Sequence, residues 1–369
     1  MNYKETLYFV AKCLTISSEN KNKEEIEKQL QLNSIDWDAV VKVSTAHYVF
    51  PALHCNLKRA NFLHYLPIEL VGYMKHLTDL NRARNLKIIA QAKELNNILI
   101  GHHITPIFLK GAANLLAGLY EDVGERMVGD IDVLLAKKDF FKAIALLKKA
   151  NYKKQQDQEE YLQIFRHYPK IVKTDRIAAV EIHSEILGLE QYRKEFNYNV
   201  VAKGCQVIDG VRVLSYANKL NLSIIANQIN DSGFQYKTMA LRNAYDVFLL
   251  SKKTNAKEAV QTLDKLSYPL NCFLSACNEV FNHPKSVAYT ENKKTAAYLR
   301  GFHKQFANPT ATKKKHKRIR LTLFITLRLQ ILYKAIVYKA YRVWLFRRLT
   351  DKNWYTEKLV QLGLRKEEY

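Results

Sequence analysis

The sequence predicts an α+β fold in which a small mixed β-sheet core is set between largely helical N- and C-terminal subdomains. Three observations carry this. Apolar residues recur at helical spacing towards both ends, whereas short apolar runs alternate with helical stretches between about residues 103 and 190. Glycine and proline are scarce, at 12 and 7 of 369 residues, so helices meet few interruptions. The 48% hydrophobic and 25% charged composition is that of a folded chain, and its length exceeds one ordinary core.

Residues 1–101 read as a helical subdomain. In "HLTDLNRARNLKIIAQAKELNNILIGHH", Leu77, Leu80, Leu86, Ile89, Leu95, Ile98 and Leu99 fall at spacings near three and four, and Gly101 supplies a C′ stop. Residues 102–200 hold the sheet. "TPIFLKG" reads as a buried strand ended by glycine, "AANLLAGLY" as a helix, and "DIDVLL" as the next strand. "KKDFFKAIALLKKANY" is an amphipathic helix. "YLQIFRHYPKIVK" and "RIAAVEIHSEI" then form a strand pair turning near "KTDR". From about residue 212 the pattern is helical again, giving a C-terminal subdomain over 201–309. "NPTATKKKHKR" reads as a linker to a basic tail at 310–369.

Five cysteines lie far apart, in odd number and without a CxxC pair, which argues against a disulfide framework or a zinc site. The N-terminal stretch lacks the basic and apolar regions of a signal peptide, so a cytoplasmic location is expected.

Chemistry concentrates in "ERMVGDIDVLL". Residues two apart in a strand share a face, so Asp130 and Asp132 project side by side at the edge of the buried run Val133–Leu135. Two adjacent carboxylates repel unless a cation lies between them. Mg²⁺ (or Mn²⁺) suits such a site, because it takes oxygen ligands and shares its remaining positions with phosphates. A DxD after glycine also occurs in solvated turns, but Glu181 adds a third acid inside the apolar strand "AAVEIH". His183 shares its face, either orienting the carboxylate or resting as a core-edge histidine. Arg242 and Asp246, at i and i+4, read as a structural ion pair. Arg126 either contacts phosphate or pairs with Asp122 or Glu125.

The pattern "IFLKGAANLLAGLY…R…GDIDVLL…VEIH" resembles the DNA polymerase β-type nucleotidyltransferases and, more narrowly, the bacterial uncharacterised nucleotidyltransferase family. "AHYVFPALH" and "LRNAYDVFLL" are similar to that family's flanking segments, so the resemblance spans about residues 30–250. It implies that Asp130, Asp132 and Glu181 are the metal and catalytic carboxylates, with Glu181 the base for an acceptor hydroxyl. Lys110, Gly111 and Arg126 would bind the nucleotide. It further implies NMP transfer from an NTP, ATP among the candidates, with release of pyrophosphate. Members often accompany polysaccharide genes, which would place the acceptor in cell-surface biosynthesis. The sequence departs from the superfamily at Gly111-Ala112, which offers no hydroxyl to a phosphate, and in its long interval between Gly111 and Asp130. A non-catalytic nucleotide-binding docking module, or a toxin-like transferase acting on tRNA or protein, are the rival readings.

The tail poses a separate question. Net charge is +23; between Asn292 and Thr350 there is no acid but there are sixteen Lys and Arg, which leaves +7 elsewhere. On a continuous helical wheel Arg320, Arg328, Lys334, Lys339 and Arg342 gather on one face. Leu323, Leu327, Ile331, Val337, Tyr338 and Trp344 occupy other sectors. The apolar run is too short to span a bilayer. Residues 318–348 therefore fit an anionic membrane surface, an RNA backbone, or packing on the chain's own helices. The first alternative makes the protein peripheral at the inner membrane surface.

Overall fold

The computed structural model describes residues 1–155 and 166–361. The chain divides between Phe302 and His303 into two compact units.

The first unit opens with α1 (Tyr3–Cys13), α2 (Asn20–Gln31), α3 (Trp37–Ala46), α4 (Phe50–Arg59) and the long α5 (Ile68–Ile100). Asn2 and Glu5 form a capping box on α1, Asp36 caps α3, and Pro51 opens α4, so local sequence sets each start. The sheet then assembles from β1 (Ile107–Leu109), α6 (Lys110–Leu116), β2 (Asp130–Leu134), α7 (Phe140–Lys149), β3 (Lys153–Lys154), β4 (Ile171–Val172) and β5 (Ala179–His183). After α8 (Tyr198–Ala202) the hairpin β6 (Gln206–Ile208) and β7 (Val211–Val213) completes it.

The seven strands lie in the order β3-β4-β5-β2-β1-β7-β6. β2 runs parallel to β5 and antiparallel to β1; β7 runs parallel to β1. The sheet is therefore mixed, as the sequence predicts. The register of β2 against β5 places Asp132 opposite Glu181 and Leu134 opposite His183. Ile131, Val133, Val180 and Ile182 are buried on the other face, so the strand period forces the acids together once these four are packed inside.

Behind the sheet, α5 departs from its expected face. Leu80 and Leu86 are exposed, while Thr78, Asn81, Asn85, Gln91 and Asn96 are buried among Met74, Ile88, Ala92, Leu95 and Leu99. The amide NH₂ groups of Asn81, Asn85, Gln91 and Asn96 donate to backbone carbonyls, while Asn85 Oδ1 and Asn96 Oδ1 are buried without a partner. Asn81 and Asn85 both donate to the Arg126 carbonyl, and additionally to those of Gly124 and Val123. Gln91 exchanges two hydrogen bonds with Ala178. The helix ends at Ile100 with Gly101 still right-handed (φ −59°); His103 takes the left-handed conformation instead.

The unit closes with α9 (Tyr216–Ile225), which runs on as a π turn over Ala226–Asn230, then α10 (Gly233–Tyr236), α11 (Leu241–Ser251), α12 (Ala256–Gln261) and α13 (Ser267–Val280). Ser215 and Asn255 cap α9 and α12. The hairpin at 206–213 corrects the expectation of helix from residue 212. Part of "YLQIFRHYPKIVK" lies outside the described residues, and the rest contributes only the two-residue β4 and an isolated bridge from His167 to His183. The turn at "KTDR" is present, closed by Arg176 N–H donating to the Lys173 carbonyl. All five cysteines are free.

α14 (Lys293–Ala307) leads into the second unit, made of α15 (Pro309–Val337), α16 (Lys339–Leu349) and α17 (Lys352–Gln361). The expected linker at 308–318 is the start of α15. Asn308 accepts from the Ala311 N–H as N-cap and Pro309 follows at the first helical position, a start signal that outweighs the lysine run. Nor does one helical wheel run through the tail. Tyr338 is extended (φ −114°, ψ 124°), and Arg342 folds back to donate to the carbonyls of Ala335 and Ile336. Ala335, Tyr341 and Trp344 are buried there, while Leu329, Tyr333, Ile336 and Phe346 are 61–77% exposed. Among the described residues no helix is long and apolar enough to cross a membrane.

Candidate active site

The DxD strand opens into a cleft of about 340 Å³ lined by Lys110, Asp130 and Glu181 from the sheet region, and by Lys219, Ser223, Arg242 and Asp246 from α9 and α11. A larger hollow of about 580 Å³ lies at α1 and the end of α2, with Glu5 as the one acid in its lining. Volume alone does not select a site; the convergence of charge selects the cleft.

Asp132 is 1% exposed and accepts from two donors that favour its ionised form. Lys110 Nζ donates to its Oδ1 at 2.5 Å, and His183 Nε2 lies 2.8 Å from the same oxygen. His183 Nε2 is also 3.3 Å from Glu181 Oε2. Because a carboxylate only accepts, Nε2 carries the proton, leaving Nδ1 buried without a partner. Lys170 Nζ bridges Asp130 Oδ2 at 2.9 Å and Glu181 Oε1 at 3.3 Å.

Burial works against ionising Asp132, yet the Lys110 ammonium and His183 hold its carboxyl far below the usual range. Burial also opposes ionisation of Glu181, but the His183 hydrogen bond and the Lys110 charge bring it down to about 2. Asp132 and Glu181 are therefore anions at neutral pH, their mutual repulsion offset by the Lys110 and Lys170 ammonium groups.

One ligand atom each from Asp132, Glu181 and His183 falls within a set whose members all lie within 4.8 Å of one another. Together with Asp130 on the same strand face, this donor set is rich in oxygen and fits a hard divalent cation such as Mg²⁺ or Mn²⁺. The sequence reading placed His183 only as an orienting or core-edge residue.

Lys110 sits at φ 52°, an uncommon left-handed conformation for a lysine, directly after β1. Gly111 follows at close quarters. A Cβ there would stand 3.0 Å from Val128 Cγ2 and 3.8 Å from Arg126 Cζ, so the small residue admits the segment leading into β2.

Arg126 neither pairs with Asp122 or Glu125 nor lies on the surface. Its Nε and Nη2 donate to the Asp246 carboxylate at 2.9–3.2 Å, both groups being buried. Tyr120 donates to the same carboxylate at 2.7 Å. The expected Arg242–Asp246 pair is thus replaced by Arg126–Asp246. Glu125 accepts from Arg59 and from Tyr245, and Asp122 is held by Arg82.

The profile of the uncharacterised nucleotidyltransferase family matches residues 33–279. The chain belongs to that family. The match takes in α3 to α5, the sheet and the α9–α11 wall, so both sides of the cleft lie within the family region. No curated protein and no solved structure matches the chain. Of the six residues expected at the nucleotidyltransferase site, Lys110, Arg126, Asp130 and Glu181 line the cleft, Asp132 lies behind Lys110 and His183, and Gly111 packs on Val128. Sequence reasoning missed Lys170, Lys219 and the cleft-facing role of Arg242. A lysine within a short strand connection carries no signal of its own. Lys219, set beside Leu220 and Leu222 in a helix that carries no other charged residue, did carry one.

Proposed function

We propose that the chain transfers a nucleoside monophosphate from an NTP to an acceptor hydroxyl, releasing pyrophosphate. The observation that carries this is the register of β2 against β5, with Asp132 beside Glu181 and Asp130 on the same face at a cleft. Membership of a nucleotidyltransferase family supports it. Asp130, Asp132 and Glu181 would hold Mg²⁺ or Mn²⁺, with His183 beside them as a donor to two of the carboxylates rather than a ligand. When bound, the ion supplies charge stabilisation for the phosphoryl oxygens and the departing pyrophosphate.

The protein's own groups complete the chemistry. Glu181, ionised and at the cleft wall, is the group that receives the hydroxyl proton of the acceptor. His183 fixes the carboxylates of Asp132 and Glu181 by its Nε2–H. Lys110 and Lys170 neutralise the acids and, with an NTP present, turn to its phosphates as mobile point charges.

The decisive experiment incubates the protein with NTPs labelled at the α-phosphate, Mg²⁺ or Mn²⁺ and host lysate, then separates lipid, RNA, protein and small molecules. Label entering one fraction with wild type but not with Asp130→Asn/Asp132→Asn supports transfer and names the acceptor class. Label in none, across four NTPs, rejects transfer and favours a docking module.

We infer further that the second unit rests on an anionic membrane surface. Leu329, Tyr333, Ile336 and Phe346 are exposed beside Arg328, Lys334, Lys339 and Arg347, with no acid between Asn292 and Thr350. An apolar face next to a cationic one matches a lipid interface better than an RNA backbone, which would leave the aliphatic groups in water.

A further inference from the structure

The charges lining the cleft do not balance. Asp246 is taken by Arg126, Asp132 by Lys110, and Asp130 and Glu181 by Lys170. Asp231, exposed, is a lining acid with no ion pair among the described residues, though the charges of Arg166, Lys110 and Arg242 reach it. Against it stand three lining cations, Arg166, Lys219 and Arg242, whose side chains form no hydrogen bond or ion pair among the described residues. Lys219 is 4% exposed, and its Nζ is buried without a hydrogen-bond partner, 5.3 Å from the centre of the Tyr216 ring. Arg242 has a buried, unpartnered Nε and lies over Tyr48, its helical neighbour Asp246 having been claimed by Arg126.

An unpaired buried ammonium is costly, and a fold that keeps one beside a second free guanidinium is waiting for negative charge. The wall is also unusual in backbone. Lys219, Leu222, Ser223, Ala226 and Asn230 form one lining stripe, and the last two residues belong to the π turn that continues α9. Such turns recur at functional sites because they re-aim side chains within a helix.

We infer that Lys219 and Arg242, with Arg166, form an oligophosphate subsite that takes the β- and γ-phosphates of the nucleotide. The inference rests on the transferase reading and deepens it. It accounts for Gly111-Ala112, where no hydroxyl is offered to a phosphate: the grip on the tail has moved to the helical wall. Arg242 supplies a planar fork for two phosphate oxygens, Lys219 a point charge.

The test measures calorimetric binding of inorganic tripolyphosphate to the full chain at fixed ionic strength. Arg242→Gln and Lys219→Gln are each expected to weaken binding by about tenfold or more, with Arg242→Lys intermediate. Lys93→Gln, an exposed lysine paired with Asp209 outside the cleft lining, serves as charge-matched control and should bind as wild type. Thermal melting of each variant checks that it is folded. Unchanged affinity in both folded Gln variants overturns the subsite. So does displacement of tripolyphosphate by glycerol 3-phosphate at equal concentration, which would assign these cations to a phosphorylated acceptor. Since binding is read without turnover, the two readings fail separately. Arg242-dependent binding by a chain that transfers no label overturns the transferase. Label transfer with an unaltered KM for NTP in Arg242→Gln overturns the subsite alone.

Discussion

Arg126, just ahead of β2, and Asp246, on α11, form a buried ion pair in which the Nε and Nη2 of one residue meet both carboxylate oxygens of the other. Their chain neighbours repeat the liaison, since Tyr245 donates to Glu125 at 2.6 Å. Two consecutive residues of the loop are thus matched to two consecutive residues of the helix. Because a buried pair broken on one side strands the other charge, Asp246→Ala should cost about 3–5 kcal/mol in urea unfolding. Arg126→Met combined with Asp246→Leu should recover much of that loss. A single variant as stable as wild type would show the pair to be dispensable.

The two acids of the DxD should separate in their structural effects. Asp130 has a side chain 29% exposed and faces Lys170, so Asp130→Asn is expected to leave the melting temperature nearly unchanged. Asp132→Asn leaves Lys110 and His183 facing a neutral amide in a buried place, and should cost about 1–3 kcal/mol. Both should lower label transfer by at least about 10²-fold. Retention of full transfer by either variant would remove that residue from the site.

Lys219 should reveal itself through pH. Burial pushes its ammonium down from 10.5 to about 8, so between those values the unfolded chain binds a proton that the folded chain does not. Stability therefore rises with pH across that interval, and below pH 8 the full cost of burying the charge is present, about 3 kcal/mol. Lys219→Met should accordingly be more stable than wild type by that order at pH 7, the gap closing towards pH 10.5. Denaturant titrations at several pH values measure it. A variant no more stable than wild type at pH 7 would mean that the ammonium is compensated.

For the second unit, vesicles provide the measurement. Co-sedimentation of the full chain with vesicles of anionic lipid should be strong at low salt and weaker as salt screens the cations. Leu329→Ser/Ile336→Ser should abolish retention without altering affinity for RNA. RNA binding that outlasts vesicle binding in this comparison would replace the lipid with RNA as the partner.

The sheet and its acids were legible because strand periodicity is local: a carboxylate two residues from another, or embedded between Val180 and Ile182, announces itself. Partners that depend on tertiary approach were not. Arg242 and Asp246 satisfy the helical i,i+4 rule, but Arg126 arrives from 120 residues away with a bidentate fork and wins. Hydrophobic counting on α5 chose Leu80 and Leu86 over Asn81 and Asn85, since nothing local tells that amides will be needed inside. The hairpin β6–β7 was missed because its three-residue strands are too short for a period to emerge. The Gly111 departure was visible, whereas the cations on α9 and α11 that answer it required the fold.

The amide face of α5 has a consequence for how the long interval before Asp130 tolerates change. Asn81 and Asn85 converge on the Arg126 carbonyl while also holding Gly124 and Val123, and a Cβ at Gly124 would strike the Thr78 carbonyl at 3.1 Å. A loop gripped at its backbone in this way is a spacer of set length. Adding or removing one residue between Val123 and Arg126 would shift the carbonyls off their amides and Arg126 off Asp246 together. Natural variants of this chain should therefore vary the loop's exposed side chains freely while keeping its residue count.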